Sequence, residues 1–177
     1  MNKFLLINII TLLLINITAL QAEKNYLNID AKHFEADKQK NVLYFKGDVN
    51  MTKNKDILLS QSLVINTQFS PNDKTKQIPK DYKATGDVSF ILHTADNVLK
   101  GKGDVVYYYP DKKKYIIIGN GYLEDTKEGK KIIAERIYID ELTGRTKIDG
   151  GIDKPIKFIL KLNDKSSQND TNITKGK

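Results

Sequence analysis

The feature that most constrains this chain is an internal repeat. Gly47, Gly86, Gly119 and Gly150 each close one β-like run and open another, at separations of 39, 33 and 31 residues by subtraction. A period of that size marks stacked supersecondary units, none of which can bury its apolar face alone. A gap-free match at an offset of 103 carries Ala31–Asp37, with its glycine Gly47, onto Ala134–Asp140, with Gly150. An offset of 31 carries Val105–Tyr109 and Gly119 onto Arg136–Asp140 and Gly150. Leu63-Val64-Ile65 lies over Val106-Tyr107-Tyr108, the extra residues of that unit being placed in a loop from Pro71 to Pro79. The expected fold class is all-β, and helical periodicity is hard to find after Ala22.

Successive strand residues face opposite ways, so charged positions reveal the phase. Arg136 and Asp140 mark an outer face and turn Ile137 and Ile139 inward. The two offsets carry that phase to Val106 and Tyr108, and to Phe34 and Ala36, leaving Tyr107, Tyr109, Glu35 and Asp37 outside. Leu43/Phe45, Val49/Met51, Val88/Phe90, Tyr115/Ile117 and Ile156/Phe158/Leu160/Leu162 continue the inward rows. Such rows suit either the solid core of a β sandwich or the wall of an apolar groove, and alternation alone leaves both open. Turn chemistry at Ser70-Pro71-Asn72-Asp73, Lys127-Glu128-Gly129 and Leu142-Thr143-Gly144 separates the runs.

The N-terminus has the arrangement of a secretory signal: Lys3, an apolar stretch from Phe4 to Leu20, and a cleavage point expected after Ala22. An uncleaved anchor is the alternative, weakened by Asn8, Thr11, Asn16 and Thr18. With no cysteine the chain can have neither a disulfide nor a thiol nucleophile. A mature chain from Glu23 carries 28 basic against 22 acidic residues, a net +6 once Lys3 is removed. The lysines are scattered, and two arginines, Arg136 and Arg145, do not make a nucleic-acid patch. The reading is a domain over 23–162 followed by a polar, disordered tail over 163–177.

Nothing in the chain marks catalysis. His33 and His93 are not in metal-ligand spacing, and His33 occupies the exposed position matching Arg136. Asp48, Asp87 and Asp104 are single carboxylates, and nucleophile-elbow, Walker and dinucleotide motifs are missing. No enzyme activity, metal or cofactor is expected.

Ala31–Asp37, Phe45-Lys46-Gly47-Asp48-Val49, Ala84-Thr85-Gly86-Asp87-Val88, Ile117-Ile118-Gly119-Asn120 and Ala134 through Asp140-Glu141-Leu142-Thr143-Gly144 to Gly150 resemble the OstA-like/LptA family of periplasmic lipopolysaccharide export proteins. Gly121 departs from the pattern, standing where other units carry Val49 or Val88. The resemblance spans roughly Leu27 to Leu162 and implies an antiparallel β jelly roll folded over into an open groove, like a taco shell. It also implies a periplasmic bridge with lipopolysaccharide acyl chains in the groove. Further implied partners are an inner-membrane export complex and an outer-membrane translocon of the same fold, and copies of the chain itself, head to tail. The implied groove lining is Leu27, Ile29, Phe34, Phe45, Val49 and Met51 from the first strands. Leu63, Ile65, Val88, Phe90, Val106 and Tyr108 follow from the middle, then Tyr115, Ile117, Leu123, Ile137 and Ile139. The implied edges for self-association are Tyr26, Leu27, Asn28 and Ile29 at one end and Ile156, Phe158 and Leu160 at the other. Two alternatives stand beside this reading: an anchored member of the same pathway and a solid-core structural module of the envelope.

Overall fold

Alternating apolar and polar side chains produce unusually long strands, and the chain has little choice but to stack them side by side. The computed structural model describes residues 26–94 and 97–162. The expected signal segment, 1–22, and polar tail, 163–177, lie outside the described residues. Among those described, ten strands form one antiparallel sheet. They are β1 (Leu27–Asp30), β2 (His33–Asp37), β3 (Val42–Lys53), β4 (Asp56–Phe69), β5 (Gln77–His93), β6 (Val98–Tyr109), β7 (Lys114–Asp125), β8 (Lys130–Asp140), β9 (Arg145–Asp149) and β10 (Lys157–Ile159). Strands β3 to β8 pair in chain order; β1 and β2 both pair with β3, and β9 and β10 both pair with β8. Each edge of the sheet is therefore two short strands laid end to end.

The repeated glycines explain that division. Gly47, Gly86 and Gly119 lie inside β3, β5 and β7 rather than between strands, each with φ between 74° and 81°. The next residues, Asp48, Asp87 and Asn120, are also left-handed, at φ 46–47°. Glycine reaches that region without cost, and Asp and Asn tolerate it better than other residues. Two left-handed residues in succession make a β-bulge, and the ladder register shifts at the same level in every pair from β3·β4 to β7·β8. Bulges stacked across a sheet form a crease, about which the two halves fold over and face each other. Gly150 differs from the other three: its φ is not left-handed, and it marks the gap between β9 and β10 where the crease crosses the edge.

Small side chains line the crease on the inner face. Val49 pairs with Ser60, Val88 with Gly103 and Gly121 with Ala134. Both Gly103 and Gly121 are buried. A Cβ on Gly121 would stand 2.8 Å from the Ala134 carbonyl, and one on Gly103 would stand 2.6 Å from the Ile117 side chain. Gly121 thus fits a crowded position that Val49 and Val88 occupy elsewhere in the repeat.

One expectation about connections needs correction. Pro79 is not in a loop but within β5, paired with Thr67 at a register shift. Proline lacks the N–H that a regular ladder needs, and a bulge removes that requirement. The extra residues of this unit therefore lengthen the β4–β5 hairpin as well as its turn.

Candidate functional site

Three cross-strand rows build the inner face. The first runs Phe34, Phe45, Leu63, Ala84, Val106, Ile117, Ile137 and Ile148 across the half of the sheet containing β2 and β9. Beside it lie Leu43, Ile65, Tyr82, Tyr108, Tyr115 and Ile139. The other half contributes Ile29, Met51, Leu58, Phe90, Gly101, Leu123, Ile132 and Phe158. Near the crease these rows close on one another, and Leu63, Ile117 and Ile137 are wholly buried. Away from the crease the halves part. A groove of about 150 Å³ opens there, with Leu27, Met51, Leu58 and Leu92 from one half and Tyr82, Tyr108 and Tyr115 from the other. The inner face is thus both things that alternation had left open, a packed core at the crease and an apolar groove at its mouth.

The three tyrosines form a continuous aromatic wall. Tyr82 and Tyr108 lie 5.8 Å apart between ring centroids, and Tyr108 stacks on Tyr115 at 4.3 Å. Burial pushes the Tyr115 phenol well above its ordinary range and the Tyr82 phenol up to about 12, with Tyr108 adding to both. Burial also raises Tyr108. Asp56, the first residue of β4, borders the groove with this wall, and its negative charge further disfavours ionising Tyr108 and Tyr115. Asp56 accepts a hydrogen bond from the His93 backbone N–H at 2.7 Å and lies 3.4 Å from His93 Nδ1. Glu141 is likewise raised, first by burial and partly by Asp56. The folded chain therefore keeps Tyr82 protonated where an unfolded chain would ionise it. Stability from this source is complete below pH about 10, the ordinary tyrosine value, and is lost as pH rises towards the folded value of about 12. Alkaline titration followed by phenolate absorbance should show Tyr82 ionising only near pH about 12; a Tyr82→Phe variant with an unchanged curve would contradict this placement.

The other residues expected to line a groove are distributed by depth. Val49, Ile65, Val88 and Leu123 belong to the packed core, and Phe90 and Val106 belong to it while also bordering the groove. Ile29, Phe45, Met51 and Ile139 are partly buried against it. Phe34 faces the same side, 5.0 Å from Phe45, yet stands 62% exposed because no strand covers β2. At the edges, Tyr26 immediately precedes β1, and Ile156 and Leu160 flank β10 without joining it. The edges also include β2 and β9, which had not been anticipated.

Leu58, Tyr82 and Leu92 are groove residues that sequence reading missed. Leu58 sits within Ile57-Leu58-Leu59, an unbroken apolar run with no phase, and the bulge after Leu59 removes the phase of the following residues as a guide. Tyr82 and Leu92 were within reach, since each continues the alternation of Ala84 or Phe90 by two residues. Among the described residues, no three His, Cys, Asp or Glu side chains gather to hold a metal ion. His33 is exposed on the outer face, opposite Lys46.

Comparison with known proteins agrees with this architecture. No curated protein sequence matches the chain. Among solved structures, LptH from Pseudomonas aeruginosa, described as the LptA-homologous periplasmic component of the conserved lipopolysaccharide transport device, matches with a TM-score of 0.64. The match covers 78% of this chain and 96% of that one at 15% identity, which establishes a shared fold. A family model, LptA/(LptD N-terminal domain) LPS transport protein, matches residues 28–145. The folded-over sheet, its apolar inner face and this match over most of the chain place the protein in the LptA/LptD N-terminal domain family of lipopolysaccharide transport proteins.

Proposed function

We propose that this chain is a periplasmic bridge that carries lipopolysaccharide between the two membranes, holding acyl chains against the inner face of the sheet. The observation that carries the reading is the groove between Met51, Leu58 and Leu92 on one side and Tyr82, Tyr108 and Tyr115 on the other. Each CH₂ group buried there stabilises the complex by about 0.8 kcal/mol without directional demands. An apolar wall can thus hold a chain and still let it slide, which transit requires. The closed centre around Ile117 implies that the halves part further as lipid advances from the mouth towards the crease.

Self-association follows from the edges. Strands β1 and β2 at one end and β9 and β10 at the other leave ladder groups unpaired, and exposed apolar residues accompany them: Tyr26 and Phe34 at one end, Ile156 and Phe158 at the other. Edge-to-edge addition of identical chains is heterologous and open-ended, so it extends the groove from one protomer to the next. Export through a cleaved signal at Ala22 and the partners at either membrane belong to the same reading.

Photo-crosslinking in living cells tests it. A photoreactive residue at Leu58 is expected to yield a lipopolysaccharide adduct, and one at Tyr107, on the outer face, is not. Adducts at neither position, in a folded and exported protein, would favour a structural module of the envelope.

A further inference from the structure

The groove has a neighbour on the opposite face of the sheet. A cleft of about 610 Å³ lies over the outer side of β6 to β9, bordered by Tyr109, Lys112, Lys114, Tyr138, Arg145 and Lys147. Asp140 is the one carboxylate among its lining residues, and Lys114 engages it at 3.0 Å. Lys147 is held between Asp149, at 3.3 Å, and the Tyr138 ring, at 5.5 Å from its centroid. Lys112 and Arg145 are exposed and make no ion pair among the described residues. Lys114 is offset by Asp140 and Lys147 by Asp149, so the excess positive charge of the cleft rests on Lys112 and Arg145. Thr143 and Thr146 add hydroxyl donors.

Cleft and groove meet at one lip. The short 3-10 turn Pro110–Lys112 joins β6 to β7; Pro110 borders the groove and Lys112 borders the cleft. Tyr115 borders both. An amphiphile whose chains lie against Tyr108 and Tyr115 would carry its polar end over this lip and into the basic cleft.

We propose that the cleft binds the phosphomonoester of a saccharide head group, with Lys112 and Arg145 as the phosphate ligands and the Tyr109 and Tyr138 rings as flanking surfaces for sugar. The proposal rests on the groove reading above and adds to it the site of the head group. A guanidinium matches phosphate geometry through paired N–H donors, and two cations that make no ion pair among the described residues can serve an incoming anion. Aromatic rings beside them suit the apolar faces of a sugar.

The test is binding of the full mature chain to four probes: a bisphosphorylated glycolipid, its dephosphorylated form, its deacylated saccharide bisphosphate, and inorganic phosphate. Charge-assisted hydrogen bonds of this kind correspond to about a tenfold change in affinity or more. The double variant Lys112→Gln/Arg145→Gln is therefore expected to bind the phosphorylated glycolipid about tenfold more weakly and its dephosphorylated form unchanged. Lys112→Arg/Arg145→Lys should retain the wild-type preference. Equal losses on both glycolipids, or no loss on the phosphorylated one, would overturn the proposal. So would competition by inorganic phosphate as strong as that by the saccharide bisphosphate, which would mark a free-phosphate site. The groove is judged separately: Leu58→Asp should weaken both glycolipids alike, and if it weakens neither the groove reading fails whatever the cleft variants show.

Discussion

Ile117→Ala is expected to destabilise the folded chain by roughly 3–5 kcal/mol, the range for deleting a large aliphatic side chain from a site that cannot collapse. Ile117 is wholly buried at the centre of its cross-strand row, with Val106 and Ile137 as its paired neighbours on either side. Phe34→Ala, in the same row, removes a larger side chain at smaller cost. Phe34 is 62% exposed at the edge, so the area it buries corresponds to about 1–2 kcal/mol. Denaturant unfolding of both variants measures the contrast. Comparable losses would mean that the two halves stand apart in solution and that the groove runs through to the crease.

Gly101→Ala is expected to cost about 2–4 kcal/mol through overpacking, at the upper end of what such substitutions do. An added Cβ would stand 1.9 Å from Cζ of Phe90 and under 2.6 Å from both flanking ring carbons. Phe90 is 5% exposed, and Gly101 is its direct cross-strand partner. The ring therefore covers the glycine and must be displaced towards the groove it borders to make room. A double-mutant cycle with Phe90→Leu identifies the contact: the smaller side chain should recover a large part of the Gly101→Ala loss, giving coupling above about 1 kcal/mol. Strict additivity would sink the packing described here. The consequence for function is local, because Phe90 also borders the groove, and a displaced ring would narrow it.

The strand phases were legible because side-chain alternation is a local property. Arg136 and Asp140 were enough to orient Ile137 and Ile139, and the offsets carried that orientation to Val106 and Tyr108, on the inner face in the folded chain. The glycines were legible as a repeat but not as a crease. A glycine before an aspartate reads as readily as a turn between strands, and only the shared level of the register shifts shows that the strand continues through it. Leu58 was lost for the same reason, since a bulge inserts one residue and reverses the faces beyond it.

The amino-acid sequence by itself determined the all-β class, the repeat, the inner and outer faces and the family resemblance, because periods of two and of about thirty residues are written along the chain. The tertiary structure alone decided which inward residues are sealed and which line the groove. Ile117 and Tyr115 are neighbours on one face of one strand, yet Ile117 is wholly buried in the core and Tyr115 stands in the groove wall. Their difference comes from the spacing between two half-sheets at that point, which depends on a crease built by glycines far away in the chain.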